Sequence, residues 1–231
     1  MIIPFTIFSQ EKDSTKASKF SIGLTFSPDY CYRNLKADAS SQWIADNRNS
    51  YEIPKFGYTT GLNFSYRYNK RVSFGIGLLF SDKGEKTKNI ATQWITPSGQ
   101  PDPILPIKLE YNFHYYYLDI PLQLDFNLIS LVRGEFYFSA SFSPNIFLSQ
   151  ETKSYSEYSD GRKEAGTFTT VGYNAINLSF TAGIGYRARF SDKFFFKLEP
   201  KYRYSITSII DAPIRGYLFS VGLDIGFYYG I

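Results

Sequence analysis

The stretch Tyr117-Leu-Asp-Ile-Pro-Leu-Gln-Leu-Asp-Phe-Asn-Leu128 decides how this chain is read. Ile120, Leu122, Leu124, Phe126 and Leu128 share one parity. Asp119, Gln123, Asp125 and Asn127 share the other, with Pro121 among them. A period of two with one purely apolar side marks a half-buried β-strand. The opposite side carries carboxylates and amides, so it cannot be the face of a dry sandwich core. The repetition of this two-faced pattern along the chain predicts the fold.

Upstream, FSIGLTFSPDYCYR (20–33) sets Phe20, Ile22, Leu24 and Phe26 against Ser21, Gly23, Thr25, Ser27, Asp29, Cys31 and Arg33. FGYTTGLNFSYRY (56–68) and VSFGIGLLF (72–80) flank Asn69-Lys70 and read as a hairpin. Downstream, the alternation returns in EFYFSASFSPNIFL (135–148), INLSFTAGIGYRARF (176–190), FFFKLEPKYRYSI (194–206) and YLFSVGLDIGFYYGI (217–231). Between these stretches the connections alternate in length. Residues 34–55, 81–110 and 149–170 are long and polar and 207–215 reads as a fourth outer loop, whereas 69–71, 129–134 and 191–193 are short. The expectation is an eight-stranded antiparallel transmembrane β-barrel, an up-and-down meander. Its short turns would be periplasmic, its four longer loops extracellular, and both termini would lie at the short-turn end.

Facing separates a membrane barrel from a soluble one. A small soluble barrel puts its large apolar groups inside. Here one face is nearly all Phe, Tyr, Leu, Ile and Val. The other mixes Gly, Ser, Thr and Asn with Asp119, Asp125, Glu135, Arg187, Arg189, Lys197, Glu199, Lys201, Arg203 and Asp224. Such a set cannot fill an apolar interior, but it can fill a lumen as a charge network with glycines making room. Tyr58, Tyr66, Tyr68, Tyr202, Tyr204, Tyr217 and Tyr229 lie near strand ends, where aromatic girdles form. Eight strands leave an interior that side chains can fill, so a plugged barrel or a narrow water thread is expected.

Composition is compatible with this and narrows the alternatives. The chain has 231 residues, of which 19 % are aromatic, and a formal net charge of +4. Basic residues are interspersed with acids, so no nucleic-acid partner is indicated. Cys31 is the only cysteine, which excludes an intrachain disulfide. No apolar run reaches the ~18 residues of a transmembrane helix, a test that a β-barrel escapes. Residues 1–18 read as a truncated signal-peptide remnant and flexible lead-in, or as a short strand. The apolar MIIPFTIF lacks a basic flank. Residues 19–231 form the barrel domain.

The segments GLNFSYRYNKRVSFGIGLLFSDKG, YLDIPLQLDF, AGIGYRARF with EPKYRYS, and VGLDIGFYYG resemble the PorT-like outer-membrane β-barrel family of Bacteroidota. The likeness covers nearly the whole chain from Phe20. Tyr117, Leu118, Asp119, Ile120 and Pro121 are its most specific part. It implies export to the outer membrane of a Gram-negative bacterium. It brings no catalytic residues to carry over.

The chemistry-bearing candidates are few. His114 is the only histidine. With a loop serine it would be the obvious pair for a lipid-modifying enzyme, and the plainer reading is a loop or interface histidine. Asp119 and Asp125 lie six apart on one strand, roughly 20 Å of rise, too far for joint acid–base work. Each is expected to pair with Lys or Arg across the lumen. Trp43 and Trp94 fall in long loops and are candidate anchors for a partner or for the membrane interface. The functional expectation is a non-enzymatic barrel without a cofactor. It would be embedded in outer-membrane lipid and act through its external loops or as a component of an envelope assembly, through a protein partner. The competing readings are a membrane-embedded lipid-modifying enzyme, a narrow small-solute channel and a soluble ligand-binding barrel.

Overall fold

The computed structural model describes residues 18–91 and 105–231. In chain order these form β1 (Phe20–Ala37), α1 (Gln42–Tyr51), β2 (Glu52–Arg67), β3 (Val72–Lys83), β4 (Glu85–Thr87), β5 (Ile90–Ala91), β6 (Lys108–Asp119), β7 (Leu122–Leu131), β8 (Gly134–Glu157), β9 (Lys163–Phe168), β10 (Ile176–Arg189), β11 (Phe194–Ser205) and β12 (Ile214–Gly230). Every ladder is antiparallel. β1 pairs with β2 from Phe20↔Tyr66 to Cys31↔Lys55, and with β12 from Ser21↔Gly230 to Ala37↔Ile214. The first strand is thus joined to the last. β2 pairs with β3, and β3 pairs with both β6 and β7. β8 receives β6 and β7 on one side and β10 on the other, and β11 links β10 to β12.

The described residues carry twelve strand segments, not the eight expected. Two causes account for the difference. The stretch that opened the reading is interrupted at Pro121, which has no N–H for the ladder. It divides into β6 and β7, and neighbours bridge the break. Gly77 N–H donates to the Pro121 carbonyl at 3.0 Å, and Ile120 N–H donates to Pro144 at 3.0 Å. The other cause lies in the long connections, which are structured where unbroken polarity suggested loops. Residues 34–55 complete β1, form α1 and begin β2. Residues 149–157 extend β8, which then turns back into β9. The 81–110 connection contributes β4 and β5, and its candidate anchor Trp94 lies outside the described residues. Gly84, with φ +144°, lets β3 swing into β4. A Cβ there would run into the Phe113 carbonyl.

The two faces are as different in space as in sequence. Along β1, exposed and buried positions alternate strictly from Phe20 to Cys31. Phe20, Ile22, Leu24, Phe26, Leu122, Leu124, Phe126, Phe138, Phe142, Phe180, Val221 and Phe227 stand exposed on the outside. Most of the buried positions are Ser, Thr, Asn and charged residues. Tyr58, Tyr68, Tyr202 and Tyr229 stand outward, as a girdle requires. The start of β1 and the end of β12 meet at the short-turn end, where Ile231 N–H donates to Phe20 and Gly230 N–H to Lys193.

The interior is not uniformly polar. Toward the long-connection end, Tyr115, Tyr117, Ile209 and Leu218 form a buried cluster, with Phe113, Phe147, Tyr173 and Ile210 packed on it. Residues 206–213 contribute to this stopper. Asn174 N–H donates to Ile209, and Ile209 N–H to Gly216, each at 2.9 Å. The fourth outer loop expected at 207–215 thus turns Ile209 and Ile210 onto the buried aromatic cluster.

Candidate functional site

Every residue expected in the lumen network has a charged or hydrogen-bonding partner there. At the short-turn end, Glu135 is the focus of three guanidinium groups, Arg67, Arg187 and Arg189, and also accepts from Asn127. Arg189 lies on the rim with its side chain 41 % exposed, so its expected interior position is corrected. One layer further in, Asp125 takes Lys197 at 2.7 Å and Arg187 at 3.3 Å. Glu199 accepts from Tyr137 and Ser139 and lies 3.4 Å from Lys201. Lys201 in turn bonds Asp224 at 2.6 Å. Deeper still, Arg203 bonds Asp29 at 2.6 Å, with Ser27 and Thr59 donating to the same carboxylate. Asp119 is held by Lys83 at 2.9 Å, so it and Asp125 belong to different pairs.

Aromatic rings complete the packing. Tyr137 and Tyr228 point inward under Arg187 and Lys197, with cation–ring distances of 5.0–5.3 Å. Glycines face these rings. A Cβ at Gly185 would penetrate the Tyr137 ring, and one at Gly23 would penetrate that of Tyr228. Between Asn63, Lys83, Asp119, Pro121 and Lys201 a void of about 30 Å³ remains, enough for a single water.

The mouth holds a second charged cluster that sequence reading missed. Fully buried Arg33 donates from Nε to Glu85 at 3.2 Å and also contacts Glu52. Glu52 is bonded by Arg48 of α1 at 2.7 Å. Tyr115 donates to Glu85 at 3.1 Å. Burial pushes the Glu85 carboxyl above the usual carboxylate range, against the pull of Arg33 and Arg48. Glu52 and Glu85 escaped notice because they sat in stretches read as loops. Arg33 fell on the inward parity of β1, and that was the available signal.

His114 lies between charges. Its Nδ1 is 2.6 Å from Lys55 Nζ and 2.9 Å from an Asp82 oxygen, and Lys55 bonds Asp82 at 2.8 Å. One ring nitrogen can accept from Lys55 or donate to Asp82, not both at once. Among the described residues its hydrogen-bond partners are Lys55 and Asp82, and no serine. Trp43 projects from α1, 68 % exposed.

A family model described as "Outer membrane protein beta-barrel domain" matches residues 8–211. The chain belongs to this family. It is accordingly an outer-membrane protein of a Gram-negative bacterium, with an all-β antiparallel meander. Among solved structures, this outer-membrane barrel protein is similar to Neisserial surface protein A, at 10 % identity and a TM-score of 0.49, over 93 % of this chain and 98 % of that one. It is also similar to OprG from Pseudomonas aeruginosa, at 12 % identity and a TM-score of 0.43, over 93 % and 97 %. The outer membrane protease OmpT from Escherichia coli aligns at 7 % identity and a TM-score of 0.41, over 96 % and 100 %. No functionally curated protein matches the chain.

Proposed function

We propose that the protein is a plugged barrel of eight staves, β6 and β7 forming one stave, that works through its extracellular end as a binding scaffold and not as a pore or an enzyme. The observation that supports this is the filled interior. Charge pairs run from Glu135 through Asp125, Lys201 and Asp29 to Lys83, and the Tyr115–Ile209 cluster lies beyond them. The charges serve stability, since each is matched within the wall.

The surface on offer is the sheet that continues past the apolar belt. β8 runs to Glu157, flanked by β6 from Lys108↔Glu157 and by β9 from Glu157↔Lys163, and β9 is exposed along its whole length. Loop-borne surfaces on rigid scaffolds commonly carry recognition. On Tyr117 to Pro121 we assign the protein to the PorT-like group of Bacteroidota and to a role in an envelope assembly.

Shortening the β8–β9 hairpin across residues 153–167 and isolating complexes from native outer membranes tests this. A co-purifying envelope protein should be lost while the barrel stays folded. A hairpin deletion that leaves the co-purifying set unchanged, together with steady conductance of the intact protein in a planar bilayer, would overturn the scaffold reading.

A further inference from the structure

The mouth carries a cleft that nothing in the charge network explains. It measures about 350 Å³ and is lined by Arg33, Arg48, Tyr115, Ile209, Ile214 and Ala212 among others. This lies at the lower end of the ~300–1,000 Å³ typical of small-molecule sites. Its composition is divided. One part is aliphatic and aromatic, resting on the buried Tyr115–Ile209 cluster. The other presents two guanidinium groups.

Arg33 is 2 % exposed, yet its Nη1 has no hydrogen-bond partner. A buried, unpaired guanidinium N–H is costly, and such groups are normally satisfied by a partner. Arg33 is among the residues that line the cleft, and its guanidinium is paired through Nε with Glu85. Arg48, one turn along α1 from Ile44 and two from Ser41, lines the cleft too, is partly exposed and is paired with Glu52. The start of α1 adds to the positive field. Ser41 makes no side-chain cap, and the first turn contains no acid.

We propose that this cleft binds a small amphiphilic carboxylate, its head group on Arg33 Nη1 and Arg48 and its apolar body on Tyr115, Ile209 and Ile214. A guanidinium fork suits a planar carboxylate, and the apolar floor selects a ligand with a hydrocarbon or aryl body over a simple inorganic anion. The inference deepens the scaffold reading, because it rests on the long-connection end being the ligand-facing one.

The test uses the full chain in phosphatidylcholine nanodiscs, with 4-phenylbutyrate as probe and 4-phenylbutyramide as its uncharged counterpart. Binding is read by calorimetry against empty nanodiscs. The carboxylate should bind at least about tenfold more tightly than the amide, the equivalent of one charge-assisted hydrogen bond. Arg48→Gln should weaken it by about tenfold. Ala212→Phe, which fills the cleft without touching the charges, should abolish it, with heat-modifiable gel migration retained in both variants. Absence of binding above empty nanodiscs, equal affinity for the amide, or unchanged affinity in either variant would overturn the proposal. Conductance recorded on the same preparation separates the two readings. A conducting protein that still binds removes the plug and keeps the cleft, and a silent one that fails to bind does the reverse.

Discussion

At the scale of single residues, the interior charges are held by position more than by strength. Asp125 sits between Lys197 and Arg187, all three nearly inaccessible to solvent. Asp125→Ala would leave buried Lys197 without its bonded carboxylate and Arg187 with Glu135 alone. The expected loss is about 3–5 kcal/mol, measured by urea unfolding in lipid vesicles with gel migration as the readout. The double replacement of Asp125 and Lys197 by Leu and Met should recover part of that loss, since removing both partners avoids an orphaned charge. Gly185 is constrained differently. Any side chain there meets the Tyr137 ring, so Gly185→Val should cost roughly 1–3 kcal/mol through overpacking, and Gly185→Val with Tyr137→Ala should regain some of it. Both pairings are double-mutant cycles, so the coupling itself is the quantity read.

At the scale of elements, the strands have to satisfy lipid on one side and a charged lumen on the other. Phe142 of β8 lies between Leu122 of β7 and Phe180 of β10 on the outer face. A charge placed there faces hydrocarbon. Phe142→Arg should cost about 2–4 kcal/mol if this position lies near the bilayer midplane, and it should lower the yield of folded barrel in vesicles. Trp43 provides the contrast. It projects from α1 above the belt, so Trp43→Ala should leave stability within about 0.5 kcal/mol and act, if at all, on partner capture. Equal destabilisation by the two replacements would contradict the assignment of the Phe142 face to lipid. The β6–β7 break shows how an element absorbs a residue that its ladder rejects. Pro121 removes one donor, and the neighbouring strands redirect Gly77 and Ile120 N–H groups across the gap.

At the scale of the molecule, β1 pairs with both β2 and β12, so the first and last strands of the sheet are both paired on the β1 side, which suits hydrocarbon, where unpaired backbone is costly. The protein should therefore migrate as a heat-modifiable band and resist denaturation at room temperature in detergent. The filled lumen predicts a silent protein in planar-bilayer recordings. If instead steady current flowed and Lys201→Met altered only ion selectivity, the Lys201–Asp224 pair would be a channel lining and not a plug.

The alternation of apolar and polar residues by itself determined which side of each strand meets lipid, because side chains of a strand point alternately to opposite faces whatever its neighbours are. Of the ten charges picked out by parity Arg189 stands at the rim, and Asp29, Arg67 and Lys83, which pair with others of the ten, are not among them. Pairing was another matter. Arg203 and Asp29 are 174 residues apart, and parity says nothing about which inward residues stand at the same height. Register and strand stagger decide that. The mouth was the least legible part. Arg33, Glu52 and Glu85 meet only because β4 pairs with the start of β2 beside β1. The segments of Glu52 and Glu85 read as polar connections and give no two-residue period to place them. Only the packing of residues 206–213 and α1 onto the inward aromatics reveals a cleft there.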